Sequence, residues 1–138
     1  MHMQIRVKIP SQSPPSVAKL LGLLAAEGVN LKGAGGSNVE FHGEFAIAVD
    51  HDHEDLAFGV LDRNGYEFRT FEVGVNPELR LCHLTDEPGQ LLTCVEETEQ
   101  ENLDKNRGIR DILIGVPTDE GIPVQVFSEG NATEQPDV

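Results

Sequence analysis

A strand, a turn and a helix occur twice in this chain at one constant offset. Ile5, Val7 and Ile9 alternate ahead of the turn Gln12-Ser13-Pro14-Pro15, and an apolar-striped segment follows it to Gly28-Val29-Asn30-Leu31. Leu79, Leu81 and His83 repeat the three strand places, and Asp86-Glu87-Pro88-Gly89-Gln90-Leu91 falls on Gln12 to Val17. Repetition at fixed spacing points to two copies of one supersecondary unit rather than to one larger fold.

Size then becomes a constraint. The chain has 138 residues and is 38% hydrophobic, with no Trp, one Tyr and six Phe. Two modules of this size each have a thin core, which Ile, Val and Leu must fill; packing on each other or on another chain is expected. Net charge is -14, from 24 acids against 10 bases. Nucleic-acid binding needs a basic surface and anionic membranes repel an acidic one, so neither is an expected partner. Met1-His2-Met3-Gln4 runs straight into a strand without a secretory leader, and a cytoplasmic protein is expected. Cys82 and Cys94 are too few for a disulfide framework and lack metal spacing. They read as reduced thiols packed as small hydrophobes.

Along the chain, Ile5, Val7 and Ile9 point inward from the first strand, with Arg6 and Lys8 outward. Apolar residues at 17, 20, 21 and 24 mark one helix face, closed by Gly28. A glycine-interrupted strand from Leu31 to Phe41 and a strand with Phe45, Ile47 and Val49 come next. The run Asp50 to Asp55 opens a second helix with Leu56, Ala57, Val60 and Leu61 on its face, and Tyr66 to Val73 supplies a fourth strand. Residues 1–75 thus form a complete βαββαβ module. Residues 78–127 hold a strand from Leu79, a helix after Pro88 with Leu91, Leu92 and Val95 on one face, and strands Ile109 to Val116 and Ile122 to Phe127. This second module is truncated to βαββ. Residues 128–138 are polar and read as a disordered tail.

The turn Asp86-x-Pro88-Gly89-x-Leu91 resembles the signature of the ACT domain, an amino-acid-sensing module. Ala26-Glu27-Gly28-Val29-Asn30-Leu31 resembles the helix exit and strand entry of the same family. The resemblance spans roughly residues 4 to 127 and implies an α+β fold: two ferredoxin-like modules with antiparallel sheets. It also implies a ligand held between paired modules, the turn of one facing the helix exit of the other. On that basis Asp86, Glu87, Pro88, Gly89 and Gln90 face Asn30 and Leu31 of a neighbouring module. The opposite pairing, Gln12, Ser13 and Pro14 with Asp104, has lost the acid and, at Pro15, a backbone N–H; it is a degenerate secondary site.

The residues support this chemistry independently. A helix N-terminus offers unpaired N–H groups and partial positive charge to a carboxylate, Gly89 leaves the backbone approachable, and Asp86 can hold an ammonium group. The plainer reading is that Asp86 caps the helix and Pro88 starts it. His51 and His53 alternate and invite a metal, but they have no third nitrogen or sulfur ligand nearby and coincide with a helix start, so no metal is expected. Gly33-Ala34-Gly35-Gly36 lacks the lysine and helix context of a phosphate cradle. No nucleophile–base arrangement stands out, so neither a cofactor nor an enzyme activity is expected. The expected function is a regulatory protein that senses an amino acid or similar zwitterion between ACT modules. The alternative is a ligand-free oligomerisation module of the same fold. The edge of the truncated module predicts a homodimer in either case.

Overall fold

A computed structural model describes residues 3–10, 16–36 and 43–130. The chain divides into two compact units, Met1–Val73 and Gly74–Val138. Both are α+β with an antiparallel sheet. Among the described residues no helix is long and apolar enough to cross a membrane.

The first unit runs β1 (Met3–Lys8), α1 (Ser16–Ala26), β2 (Leu31–Gly36), β3 (Glu44–Val49), α2 (Glu54–Arg63) and β4 (Phe68–Glu72). Its sheet order is β2-β3-β1-β4, so β1 is central. Ile5, Val7 and Ile9 pack with Leu20 and Leu24 of α1, Ile47 and Val49 of β3, and Ala57, Val60 and Leu61 of α2 in one core cluster. Alternation in the strands and 3.6-residue spacing in the helices bring these residues to one layer boundary. Leu56, expected on the inner face of α2, is instead 37% exposed. Gly28, at φ 77, closes α1 in the left-handed conformation that glycine favours.

One expectation about β1 is overturned. Arg6 is not an outward, solvated residue but only 1% exposed, and Gln4 beside it is equally buried. Arg6 donates through NH1 to Gln4 Oε1 (2.7 Å) and through Nε to Glu44 Oε1 (3.2 Å). A guanidinium is buried only when its donors are satisfied, and the neighbouring strand supplies the carboxylate that does this.

The second unit runs β5 (Leu79–Leu84), α3 (Gln90–Asn102), β6 (Arg107–Ile114) and β7 (Ile122–Gly130), with sheet order β5-β7-β6. β5 pairs with β7 alone among the described strands, which leaves it at a sheet edge. Its faces are the reverse of those expected. Cys82 and Leu84 pack toward Cys94, Val124 and Val126. Arg80, on the same side of the strand, reaches Glu97 and Glu101 of α3 at 2.9 and 3.0 Å. A slip of one residue in reading the alternation moves every side chain to the other face, and Leu79-Arg80-Leu81-Cys82-His83-Leu84 has apolar residues on both.

The inner face of α3 differs as well. It is Cys94, Thr98 and Asn102, while Leu91 and Leu92 are 39% and 61% exposed. Thr98 returns its hydroxyl to the Cys94 carbonyl, and Asn102 donates to Ser128 Oγ (3.0 Å). That last bond anchors the far end of the helix. It also places Ser128 in the buried part of β7, which continues to Gly130; residues 128–130 are therefore strand, not tail. Residues 131–138 lie outside the described residues.

The cysteines are a further correction. Cys82 and Cys94 are joined by a disulfide, with Cα atoms 6.3 Å apart, instead of standing as reduced thiols. Strand–helix packing brings them within bonding reach although their sequence spacing fits no metal pattern.

Candidate functional site

The turn between β5 and α3 forms a concave surface on the second unit. β5 ends at Leu84 and Asp86 turns the chain with φ 66, a left-handed conformation that a short polar side chain tolerates. Pro88 cannot extend a strand ladder and disposes the chain to a first helical turn. Gly89 then serves as the N-cap of α3 with φ 83. Its carbonyl accepts from the Thr93 N–H (2.9 Å) and the Thr93 hydroxyl (3.0 Å), so the first turn of the helix is braced.

The plainer reading of Asp86 as the helix cap does not describe this turn. The N-cap is Gly89, which has no side chain to offer the first N–H groups of α3. Those groups therefore keep the capacity to bind an anion. A β-carbon built on Gly89 meets no atom within 4 Å, so the approach to this backbone is open.

The concavity measures about 700 Å³ and is lined by Leu84 through Leu91 with Gly121 and Ile122. Asp86, Glu87, Pro88 and Gly89 are exposed along it. Gln90 behaves differently from a free ligand-binding side chain. Its amide reaches back across the turn, accepting from the Thr85 N–H and donating to the Thr85 hydroxyl. It holds the shape of the turn from within.

Thr85 and Gly121 were not among the candidates read from sequence. Gly121 lies in the β6–β7 connection, held by paired backbone bonds with Thr118. A β-carbon there would lie 2.4 Å from the Leu84 carbonyl oxygen, and φ is 113, so only glycine fits. The floor of the concavity thus depends on a close backbone approach. The glycine in Thr118-Asp119-Glu120-Gly121 signalled a turn, but its contact with Leu84 is tertiary and has no sequence signature.

Asn30 and Leu31 belong to the first unit, at the entry to β2. The Asn30 amide donates to Asp50 Oδ2 (3.3 Å), and its backbone N–H donates to His53 Nδ1 (3.0 Å). This Asn30 hydrogen bond, with Lys32 at 3.4 Å, holds the Asp50 carboxyl below the usual carboxylate range. The acidic run is a helix start: a 3-10 turn over His51–His53 leads directly into α2. His51 Nδ1 lies 3.3 Å from Glu54 Oε1. His53 Nδ1 is thus occupied as an acceptor. The secondary residues Gln12, Ser13 and Pro14 lie outside the described residues.

No protein-family model matches the sequence, and no curated protein matches it at a significant level. Solved structures do. The regulatory subunit of aspartate kinase from Thermus flavus superposes with a TM-score of 0.57 at 20% identity, over 92% of this chain and 82% of that one. The ligand-free regulatory subunit of aspartate kinase from Thermus thermophilus gives 0.52 at 20% identity, over 91% and 82%. A protein from Bacteroides thetaiotaomicron gives 0.61 at 14% identity, over 93% and 79%. At such identities the likeness establishes architecture alone, and that architecture is the α+β fold with antiparallel sheets expected from the sequence.

Proposed function

We propose that this chain is a non-catalytic regulatory protein of the cytoplasm that binds a free amino acid or similar small zwitterion at the Asp86–Gly89 turn. One observation carries the reading: two left-handed positions in one turn, Asp86 and Gly89, open a helix N-terminus without a side-chain cap into a concave surface. The α-carboxylate is received by the first N–H groups of α3, and Asp86 or Glu87 receives the α-ammonium group. Both handles are common to every free amino acid, so side-chain selectivity comes from other lining residues. Two of the structural neighbours are regulatory subunits of an enzyme, which supports a role in control rather than catalysis. In this proposal Asn30 and Leu31 of a neighbouring module complete the site, and binding is passed on through assembly.

A second reading has its own support. Ile112 and Ile114 of β6 are 43% and 53% exposed, with Val116 beyond them at 41%. β5 and β6 are both sheet edges among the described strands. Exposed apolar residues beside unpaired edges suit a ligand-free oligomerisation module that closes as a homodimer. Val124 and Val126 do not contribute to this surface, because α3 and the disulfide cover them.

Thermal-shift measurements with each of the twenty protein amino acids separate the two. A binder gains stability as RT ln(1 + [L]/Kd), about 2.7 kcal/mol at one hundred times Kd. We expect at least one amino acid to raise the melting temperature in a saturable way. A flat response across the set, with a concentration-dependent dimer by light scattering, would establish the oligomerisation module instead.

A further inference from the structure

We propose that the Cys82–Cys94 bond is a thiol–disulfide switch that sets the order of the Asp86–Gly89 turn. Through that turn it sets the affinity of the amino-acid site; this regulatory consequence rests on the function proposed above.

The placement of the bond is the first observation. Cys82 lies in β5 just before the turn and Cys94 lies in α3 just after it, so the bridge spans the ligand turn itself. The second is how few apolar contacts tie that end of the helix to the sheet, where Gln90 on Thr85 is a polar link beside the bridge. The core cluster between β5, β7 and α3 consists of buried Cys94, Val124 and Val126 with Cys82, Leu84 and Ile109 packed on it, so the two sulfur atoms join strand to helix within a small set of contacts. Leu91 and Leu92, the apolar residues of the first turn of α3, are 39% and 61% exposed and lie outside the buried core. The third is that the far end of α3 is held independently, by Asn102 on Ser128 and by Arg80 on Glu97 and Glu101. Opening the bridge therefore leaves the near end to the Gln90–Thr85 hydrogen bonds and loosens it, while the far end stays docked.

The chemistry needs a dithiol reductant of the thioredoxin or dithiothreitol class. Cys82 is half-buried and Cys94 only 3% exposed, so the reductant thiolate attacks Cys82 Sγ. A mixed disulfide forms, the electron pair of the S–S bond leaves on Cys94 Sγ, and that sulfur takes a proton. The second reductant thiolate attacks the mixed disulfide and releases Cys82 as a thiolate, which takes the other proton. Two electrons and two protons pass to the protein, and the reductant closes as its own disulfide. In a reducing compartment a bridge of this kind is exchangeable rather than permanent. The reduced thiols still pack as small hydrophobes, which keeps the unit folded. The loosened turn must then be ordered by the ligand at a cost in affinity.

Amide hydrogen exchange on the full chain, oxidised and then reduced with dithiothreitol, tests the switch without any ligand. Exchange at Thr85 to Cys94 is expected to rise at least tenfold on reduction and to return on reoxidation, with β6 and β7 unchanged. The Cys82→Ser variant should exchange at the reduced rate in both conditions. Unchanged exchange overturns the switch, and so does a rise spread over β6 and β7, which would make the bridge a staple for the whole unit. Calorimetry with each protein amino acid in both redox states tests the regulation, with an expected loss of affinity of about tenfold on reduction. Equal affinities overturn it. Absence of binding in both states, with the exchange change intact, overturns the amino-acid reading and leaves the thiol switch standing.

Discussion

Gly89→Val is expected to abolish amino-acid binding while the second unit stays folded. The position has φ 83, where a β-branched residue is strained, and that strain costs about 1–3 kcal/mol. No neighbouring atom adds to this cost, because nothing lies within 4 Å of the new β-carbon. The same open space is where a carboxylate must come to reach the first N–H groups of α3, and an isopropyl group fills it. Binding should drop below detection by calorimetry, a loss of at least a hundredfold, or about 2.7 kcal/mol. Gly89→Ala should fall between the valine variant and the parent. In the composite site proposed here, Asn30→Ala weakens binding by about 1–3 kcal/mol through a lost hydrogen bond, and changes at Gln12 are silent. Retained affinity in Gly89→Val would remove the turn from the site. Equal effects at Gln12 and Asn30 would mean that the two sites are not asymmetric.

The sequence disclosed the architecture because strand alternation and helix spacing are local signals. Ile5 and Val7 of β1, with Ile9 just past its end, sit on the helix side of the sheet, and Ala57, Val60 and Leu61 sit on the inner face of α2, where their spacing puts them. The pattern failed where hydrophobicity did not distinguish two faces. In β5 the helix side is Arg80, Cys82 and Leu84, and the charge of Arg80 is met by acids that only the packed helix supplies. In α3 the conspicuous Leu91 and Leu92 proved exposed, because the bridge at Cys94 and the Asn102 bond fix the rotation of the helix instead. The turn itself was legible as Asp86-x-Pro88-Gly89. Its bracing by Gln90 on Thr85 and its floor at Gly121 were not, since both depend on tertiary approach. Arg6 shows the same limit. A cation at an alternating position reads as solvent-facing until its partners are known.

Those partners make Glu44 the residue whose loss should cost the first unit most. Its Oε1 accepts from Arg6 Nε at 3.2 Å and from Arg69 NH2 at 2.7 Å, and its Oε2 accepts from Arg69 Nε at 2.9 Å. Arg6 is 1% exposed and Glu44 only 17%, so the arrangement is largely removed from water. Burial by itself would raise the Glu44 pKa, but the hydrogen bonds and charges of Arg69 and Arg6 outweigh it and hold the carboxyl below its ordinary value. Removing one partner of a buried ion pair leaves a poorly compensated charge and typically costs about 3–5 kcal/mol. Glu44→Ala is expected to destabilise the protein by about 3 kcal/mol in urea titrations at pH 7. The pH dependence follows in sign. A carboxyl whose folded pKa lies below its unfolded value of 4.5 contributes stability that is complete above that value and lost as pH falls through the folded pKa. The gap between parent and Glu44→Ala should therefore narrow on acidification below about pH 4.5. Arg6→Met combined with Glu44→Leu should cost much less than Glu44→Ala alone, because no buried charge is then stranded and Arg69, at 45% exposed, can turn to water. A loss under about 1 kcal/mol for Glu44→Ala at pH 7 would show that solvent screens the group as it does an exposed pair. The arginines would then be held by the sheet and not by the carboxylate.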